Sequence, residues 1–316
     1  MAGTCGTSAQ CGCKGIRFCA LCKNSERVSK LKLNDRDKHS DYDRYVYSSR
    51  YAKAIRDIEL PADPSLEDVH AAAKHVDSLD SLDAEECVSV DGILLVHDFL
   101  TEQEEEDLVK KIDKKEWMIS QSGRRKQDYG PRVNFKQKKV KMDRFEGMPE
   151  YTDVILEKME AASAKKLGEF QPFELCNLEY VSDRLSAIEM HFDDSWIWGD
   201  IKRMTIFRLA EERALFEVVC CVLLSSTLNL LNNCVLTFTN DEKRLVVYVA
   251  LPRRTLVCMA DEVRYQWKHG VLSQHVRGRR IALTMREPSP AFQEGGEMYE
   301  KFGKELIRLS NTRVIC

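Results

Sequence analysis

Three times the chain places an aspartate two residues after a histidine: His39-Ser40-Asp41, His75-Val76-Asp77 and His191-Phe192-Asp193. An imidazole and a carboxylate side by side are two of the three protein ligands of a non-haem iron(II) site, which a second histidine completes. Context separates the three pairs. His39 lies in the charge run NDRDKHSDYDRY and His75 in an acidic segment of helical character, whereas His191 falls in the alternating run AIEMHFDD. Alternation predicts a strand, on which His191 and Asp193 share one face while Asp194 points to the other. Two histidines downstream, His269 and His275, are candidates for the third ligand.

The run RRIALTMRE supplies a second chemistry. Read with period two, Arg280, Ala282, Thr284 and Arg286 share a face, and Ile281, Leu283 and Met285 take the other. Guanidiniums turned into a protein interior are costly unless an anion meets them, and a guanidinium is built for bidentate carboxylate binding. A dicarboxylate cosubstrate would answer both arginines. Near the start, Cys11-x-Cys13-x5-Cys19-x2-Cys22 offers four thiolates close enough to close around one tetrahedral zinc ion, a site with no open position and hence structural or partner-binding. Between them, RRKQDYGPRVNFKQKKVK over 124–141 concentrates basic charge with Tyr129 and Phe135 interleaved. Such a segment suits a substrate lid that stacks a base and tracks phosphates, or one that docks an acidic protein surface.

These groups need a scaffold. The 316 residues are 43% apolar and carry 48 basic against 51 acidic side chains, so the chain can bury a large core and no global field selects a polyanion or a membrane. The N-terminal MAGTCGTSAQCGCKG has no apolar leader segment, and an intracellular location, cytoplasmic and nuclear, is expected. The uncharged stretch Val218 to Asn240 is rich in Ser, Thr and Asn, which suits buried strands and not a membrane span. Residues 24–90 read as a polar linker with fragments of helix between a 1–23 cysteine knuckle and a 91–316 domain. In that domain VDGILLVHDFL predicts a strand, and Thr101 with Glu104 forms a capping box for the helix that follows. The short runs LCNLEYV, SAIEMHF, NCVLTFT, RLVVYVAL, TLVCMA and RRIALTMRE then predict a sandwich or jelly roll.

The order Asn177…Tyr180…His191-x-Asp193…His269…Arg280-x5-Arg286 resembles the AlkB family of iron(II)- and 2-oxoglutarate-dependent dioxygenases. The segments CGCKGIRFCALC, SQSGRRKQDYGPRVNF, CNLEY, DDSWIWG and QWKHG are together similar to one branch of that family. The resemblance implies an α+β fold with a double-stranded β-helix (jelly-roll) core, flanking helices and the N-terminal cysteine knuckle. It implies His191, Asp193 and His269 as iron ligands, with His275 a bystander. It implies Arg280 and Tyr180 on the far carboxylate of 2-oxoglutarate, with Arg286 supporting the near carboxylate and Asp193. The family's N-x-Y is one residue longer here, Asn177-Leu178-Glu179-Tyr180, and Asn177 is carried over as a cosubstrate contact across that irregularity. A lid over 120–141 would present Arg124, Arg125, Lys126, Gln127 and Tyr129 to substrate.

The chemistry implied is oxidation of an N-methyl group, with O2 consumed, succinate formed and formaldehyde released. The implied substrate is a protein monomethyl-lysine of actin type, with 6-methyladenine in DNA as the alternative. A catalytically idle interaction protein is the reading from another class. One departure bears on it: an insertion near 204–227, around FRLAEERALFEVVCCVLLSS, interrupts the likeness after the His-x-Asp pair.

Overall fold

The computed structural model describes residues 22–29, 39, 41–120, 124–163, 170–199 and 225–315. Cys11, Cys13 and Cys19 of the expected knuckle, and the expected insertion up to residue 224, lie outside the described residues. The first elements are β1 (Asp43–Ser48), β2 (Lys53–Arg56), helix α1 (Leu66–Ser78), β3 (Cys87–Val88) and β4 (Ile93–Val96). Helix α2 (Glu102–Lys114) begins at the expected capping box, where the Thr101 hydroxyl accepts from Glu104 N and the Glu104 carboxylate accepts from Thr101 N. It is followed by β5 (Met118–Ile119), β6 (Arg125–Tyr129), the hairpin of β7 (Arg132–Asn134) and β8 (Lys139–Lys141), β9 (Met148–Pro149) and helix α3 (Tyr151–Ser163).

The apolar runs of the second half then become β10 (Glu174–Val181), β11 (Ile188–His191), the short helix α4 (Ser195–Trp198), β12 (Ser225–Leu230), β13 (Cys234–Asn240), β14 (Leu245–Leu251) and β15 (Leu256–Met259). Helix α5 (Asp261–Tyr265), β16 (Lys268–Val271), β17 (Arg279–Arg286), helix α6 (Lys304–Ser310) and β18 (Arg313–Val314), which pairs with β9, complete the order. Two seven-stranded sheets carry the architecture, in the orders β11-β16-β13-β14-β1-β2-β3 and β4-β15-β12-β17-β10-β6-β5. They pack face to face as a mixed α+β sandwich of jelly-roll type.

Alternation decides what each sheet face touches. Phe238, Val247, Val249 and Leu251 of the first sheet meet Val257, Ala282 and Tyr180 of the second in the central core. On the back of the second sheet, Leu175, Leu283 and Met285 pack against Leu108 and Ile112 of α2, Ile155 of α3 and Leu306 of α6. On the back of the first, Val46, Val235 and Tyr248 meet Leu66, Val69 and Val76 of α1. Burial of these side chains, each worth about 1.5–3 kcal/mol, fixes the sandwich.

The segment expected to be a linker is a correction. Much of 24–90 is core: β1 runs parallel to β14, pairing Asp43 with Leu245, and β2 turns back against β1. Helix α1, capped by Ser65 and Asp68, covers the sheet. Its buried residues form one stripe of four, Leu66, Val69, Ala73 and Val76, diluted by the acids of its solvent face. The far boundary of the expected insertion is also corrected, because Ser225 to Thr227 belong to β12, paired with Arg286 to Thr284 and with Met259 to Val257. The uncharged stretch enters two strands, β12 and β13, and no helix among the described residues is long and apolar enough to cross a membrane.

Candidate active site

β11 is the edge strand of its sheet and pairs antiparallel with β16, which sets His191 opposite His269 with ring centroids 4.5 Å apart. A tight approach of the two strands is needed, and Gly270 permits it: a Cβ there would lie 2.7 Å from the Ile188 carbonyl oxygen. The strand stops at His191, short of Asp193. Asp194 turns the chain into α4, its carboxylate accepting from Trp196 N at 3.0 Å and Ile197 N at 3.4 Å. The turn swings Asp193 back, so that Oδ1 lies 3.7 Å from His191 Nε2 and 4.0 Å from His269 Nε2. Each of the three residues offers one ligand atom within 4.8 Å of the others.

Protonation states suit a metal. His191 Nδ1 lies 2.8 Å from the Glu189 carbonyl oxygen, to which it donates as an N–H, so that Nε2 is the ring atom turned to Asp193. Burial pushes the His269 imidazole down to about 3, so it is neutral at ordinary pH. For Asp193 burial acts upward, but the Arg286 and Arg264 guanidiniums overcome it and hold the carboxyl well below the usual range. Two imidazoles and one carboxylate are the donor set of a two-histidine, one-carboxylate iron(II) site, and the residues present fit it.

Arg286 grips Asp193 with Nε at 3.1 Å from Oδ2 and Nη2 at 3.2 Å from Oδ1, and its Nη1 donates to Glu174 Oε1 at 2.8 Å. The sequence reading missed two members of this group. Arg264 of α5, buried, brings Nη1 to 3.4 Å from Asp193 Oδ2 and donates from Nη2 to the Trp198 carbonyl at 3.0 Å. Glu174 stands directly across from Arg286 in the β10–β17 register. Neither carries a local signal, since each is one charged residue among others until pairing places it.

A second cluster lies at the other end of β17. Tyr180 pairs across from Arg280, whose guanidinium sits 4.8 Å from the Tyr180 ring centre. Arg280 Nε donates to Asn229 Oδ1 at 2.6 Å, while Nη1 is buried with no protein partner. Asn229 was also missed; its amide nitrogen is held by the Leu251, Pro252 and Asn232 carbonyls, so its oxygen is aimed at Arg280.

The other histidines go elsewhere. His275 Nε2 donates to the Pro64 carbonyl at 2.9 Å, His39 stacks edge-on to Tyr42, and Asp77 beside His75 accepts from Ser48 and Ser49.

Period two corrects the Asn177 assignment. Arg280 and Tyr180 face the central core, so Asn177 faces the opposite side of β10, where Nδ2 donates to Gln127 Oε1 at 2.9 Å and the Tyr151 hydroxyl at 2.8 Å. The position two before Tyr180 is Leu178. The same alternation divides the expected lid. Arg125, Gln127 and Tyr129 fall on the Asn177 side of β6: Arg125 is bound to Glu179, Gln127 donates to the Ile112 and Lys115 carbonyls, and Tyr129 is core. Lys126 is engaged by Asp128, and Arg124 is buried against Tyr180. Expected to face substrate, Arg124 is instead joined to Arg280 through Tyr180, which touches both.

The exposed basic charge is carried instead by the β7–β8 hairpin, through Lys136, Lys138, Lys139 and Lys141. Phe135 at its tip is 42% exposed and lies 5.1 Å from Trp198, over which Arg286 is stacked at 4.5 Å.

No protein-family model matches the chain. It is 51% identical over 304 residues to a Caenorhabditis elegans protein described as a DNA N6-methyl adenine demethylase, covering 96% of this chain and 95% of that one. It is 33% identical over 313 residues to the Homo sapiens alpha-ketoglutarate-dependent dioxygenase alkB homolog 4, with 95% and 93% covered. The chain belongs to the AlkB family of dioxygenases. A solved structure of OsALKBH1 is similar at 13% identity with a TM-score of 0.47, covering 63% of this chain and 98% of that one. As an AlkB-family member the chain is an iron(II)- and 2-oxoglutarate-dependent dioxygenase of the demethylase type, and the idle reading falls away.

Proposed function

We propose that this AlkB-family enzyme removes the methyl group of N6-methyladenine in DNA, with iron held by His191, Asp193 and His269. The bound metal with 2-oxoglutarate and O2 supplies oxidation of the N-methyl carbon, after which the N-hydroxymethyl product releases formaldehyde. The chain's own residues do the rest. Arg286 fixes Asp193 and faces the near carboxylate of the cosubstrate, while Arg280 and Tyr180 take the far one. The sandwich around them keeps the site dry, which strengthens each of these charge pairs.

The observation that carries the substrate is the hairpin: four lysines around an exposed Phe135 that rests on Trp198 beside the iron ligands. Aromatic faces and flexible cations on one rim suit an unstacked base with flanking phosphates. The 51% identity to a DNA N6-methyl adenine demethylase supports the same reading. Protein monomethyl-lysine of actin type, the substrate first expected, stays as the second reading on the likeness of CNLEY, DDSWIWG and QWKHG to one branch of the family. A cytoplasmic and nuclear location accompanies either substrate. A structural zinc at Cys11, Cys13, Cys19 and Cys22 is part of the proposal, supported by thiolate spacing.

Formaldehyde release from 6-methyladenine oligonucleotides and from methyl-lysine peptides tests the choice. Oligonucleotide affinity is expected to fall by roughly 0.7 log units per log unit of salt for each phosphate held. Replacing Lys136, Lys138, Lys139 and Lys141 by glutamine should flatten that slope. Peptide turnover far above that of any oligonucleotide would overturn the DNA reading and leave the dioxygenase in place.

A further inference from the structure

Arg124, Tyr180 and Arg280 form one row across three neighbouring strands. Tyr180 pairs with Arg280 on β17, and one step beyond the Glu179–Arg125 pair the β6–β10 register brings Arg124 beside Tyr180. All three side chains face inward, and none is more than 6% exposed. At this end of the sheet, away from Arg286 and its two carboxylates, the two sides treat their arginines differently. On the outer side Arg125, Arg184 and Arg279 share the Glu179 carboxylate, which they bring down to about 2 against the upward pull of burial, and Arg279 also binds Asp113. On the inner side neither Arg124 nor Arg280 has a carboxylate partner among the described residues.

Two buried guanidiniums flanking one tyrosine without an anion are a costly arrangement. Their unmet atoms, Arg124 Nε and Arg280 Nη1, are both buried and unpartnered. Arg124 Nη1 donates to the Tyr180 hydroxyl at 3.3 Å, so that oxygen accepts from Arg124 and keeps its own proton to give. A carboxylate entering here would meet two cations and a hydroxyl donor. The position where the family's N-x-Y spacing would put an amide is Leu178, which can give no hydrogen bond.

We propose that Arg124 is a second cationic holder of the far carboxylate of 2-oxoglutarate, in place of the amide absent at Leu178. The inference rests on the dioxygenase assignment and not on the DNA substrate, and its test contains no methylated substrate.

Full-length protein loaded with nickel(II) is titrated calorimetrically with 2-oxoglutarate and with 2-oxobutyrate, which keeps the oxoacid head and lacks the far carboxylate. Arg124→Met is expected to weaken 2-oxoglutarate binding about 10- to 100-fold, the worth of a charge-assisted hydrogen bond, and to leave 2-oxobutyrate within about twofold. Arg124→Lys, which keeps the charge, should recover part of the loss. It also carries the test if the methionine variant does not fold. Equal loss for both ligands would mean that Arg124 only shapes the sheet, and unchanged 2-oxoglutarate binding would mean that the arginine serves something else. Either result overturns the proposal, and neither bears on whether DNA or protein carries the methyl group.

Discussion

Replacing Asp193 by asparagine keeps side-chain volume and removes one charge from a balanced buried quartet. Asp193 and Glu174 stand against Arg286 and Arg264, with Arg286 bound to both carboxylates and Arg264 at 3.4 Å from Asp193. After the substitution two buried guanidiniums face the single carboxylate of Glu174. Removing one partner of a buried pair costs about 3–5 kcal/mol, and no cavity is added to that figure. The same change deletes the anionic ligand from a site left with net positive surroundings, so stoichiometric metal binding should disappear. Asp194 is the control, because it caps α4 through Trp196 N and Ile197 N and does not face the histidines. Asp194→Ala should cost only about 1 kcal/mol, the value of a helix cap, and retain metal. Urea denaturation of the metal-free proteins followed by tryptophan fluorescence gives the first quantity, and manganese(II) titration gives the second. If Asp193→Asn is as stable as the parent, or if both variants lose metal equally, the quartet and the ligand assignment are wrong.

The remaining expectations use other parts of the site. His269, at about 3 in the folded chain, is protonated only after unfolding between that value and its ordinary 6.5, so the unfolded state binds more protons there. Stability of the metal-free protein is therefore full above about pH 6.5 and falls towards pH 4 by up to about 1.4 kcal/mol per unit for this residue. His70 and His275, lowered by burial, add to the slope. Urea midpoints measured across that range should show a shallower slope for His269→Gln, and parallel profiles would contradict the burial argument. Asn177→Leu should cost about 1–3 kcal/mol by removing the buried donor to Gln127 Oε1 and the Tyr151 hydroxyl, while 2-oxoglutarate affinity is unchanged; a loss of that affinity would return Asn177 to the cosubstrate. Gly270→Ala drives a methyl group to 2.7 Å from the Ile188 carbonyl, and should weaken manganese(II) binding by parting β11 from β16; a variant with parental affinity would show that the strands have slack.

Much of the site is local in origin. Period two puts Arg280 and Arg286 on one face of β17, a capping box starts α2, and six apolar runs after Glu174 become strands, because each depends on residues a few positions apart. The His191, Asp193 and His269 set was legible through residue type, spacing and family likeness, and the folded chain brings those ligand atoms within 4.8 Å of one another. Alternation applied to β6 and β10 would also have separated Asn177 from Tyr180 and Gln127 from Arg124, had the lid been read as a strand.

What only the tertiary structure decided is which faces meet. Asp193 and Arg286 are 93 residues apart, and Glu174 meets Arg286 across 112. Arg264 carries no sign of its role until α5 packs beside α4. Residues 43–56 look like part of a charged linker until β1 finds β14, because strand pairing joins backbones and leaves no mark on the side-chain pattern of either partner. Local periodicity can tell each residue its side of a strand. The neighbour on that side is set by register, and register is fixed by the packing of the whole sandwich.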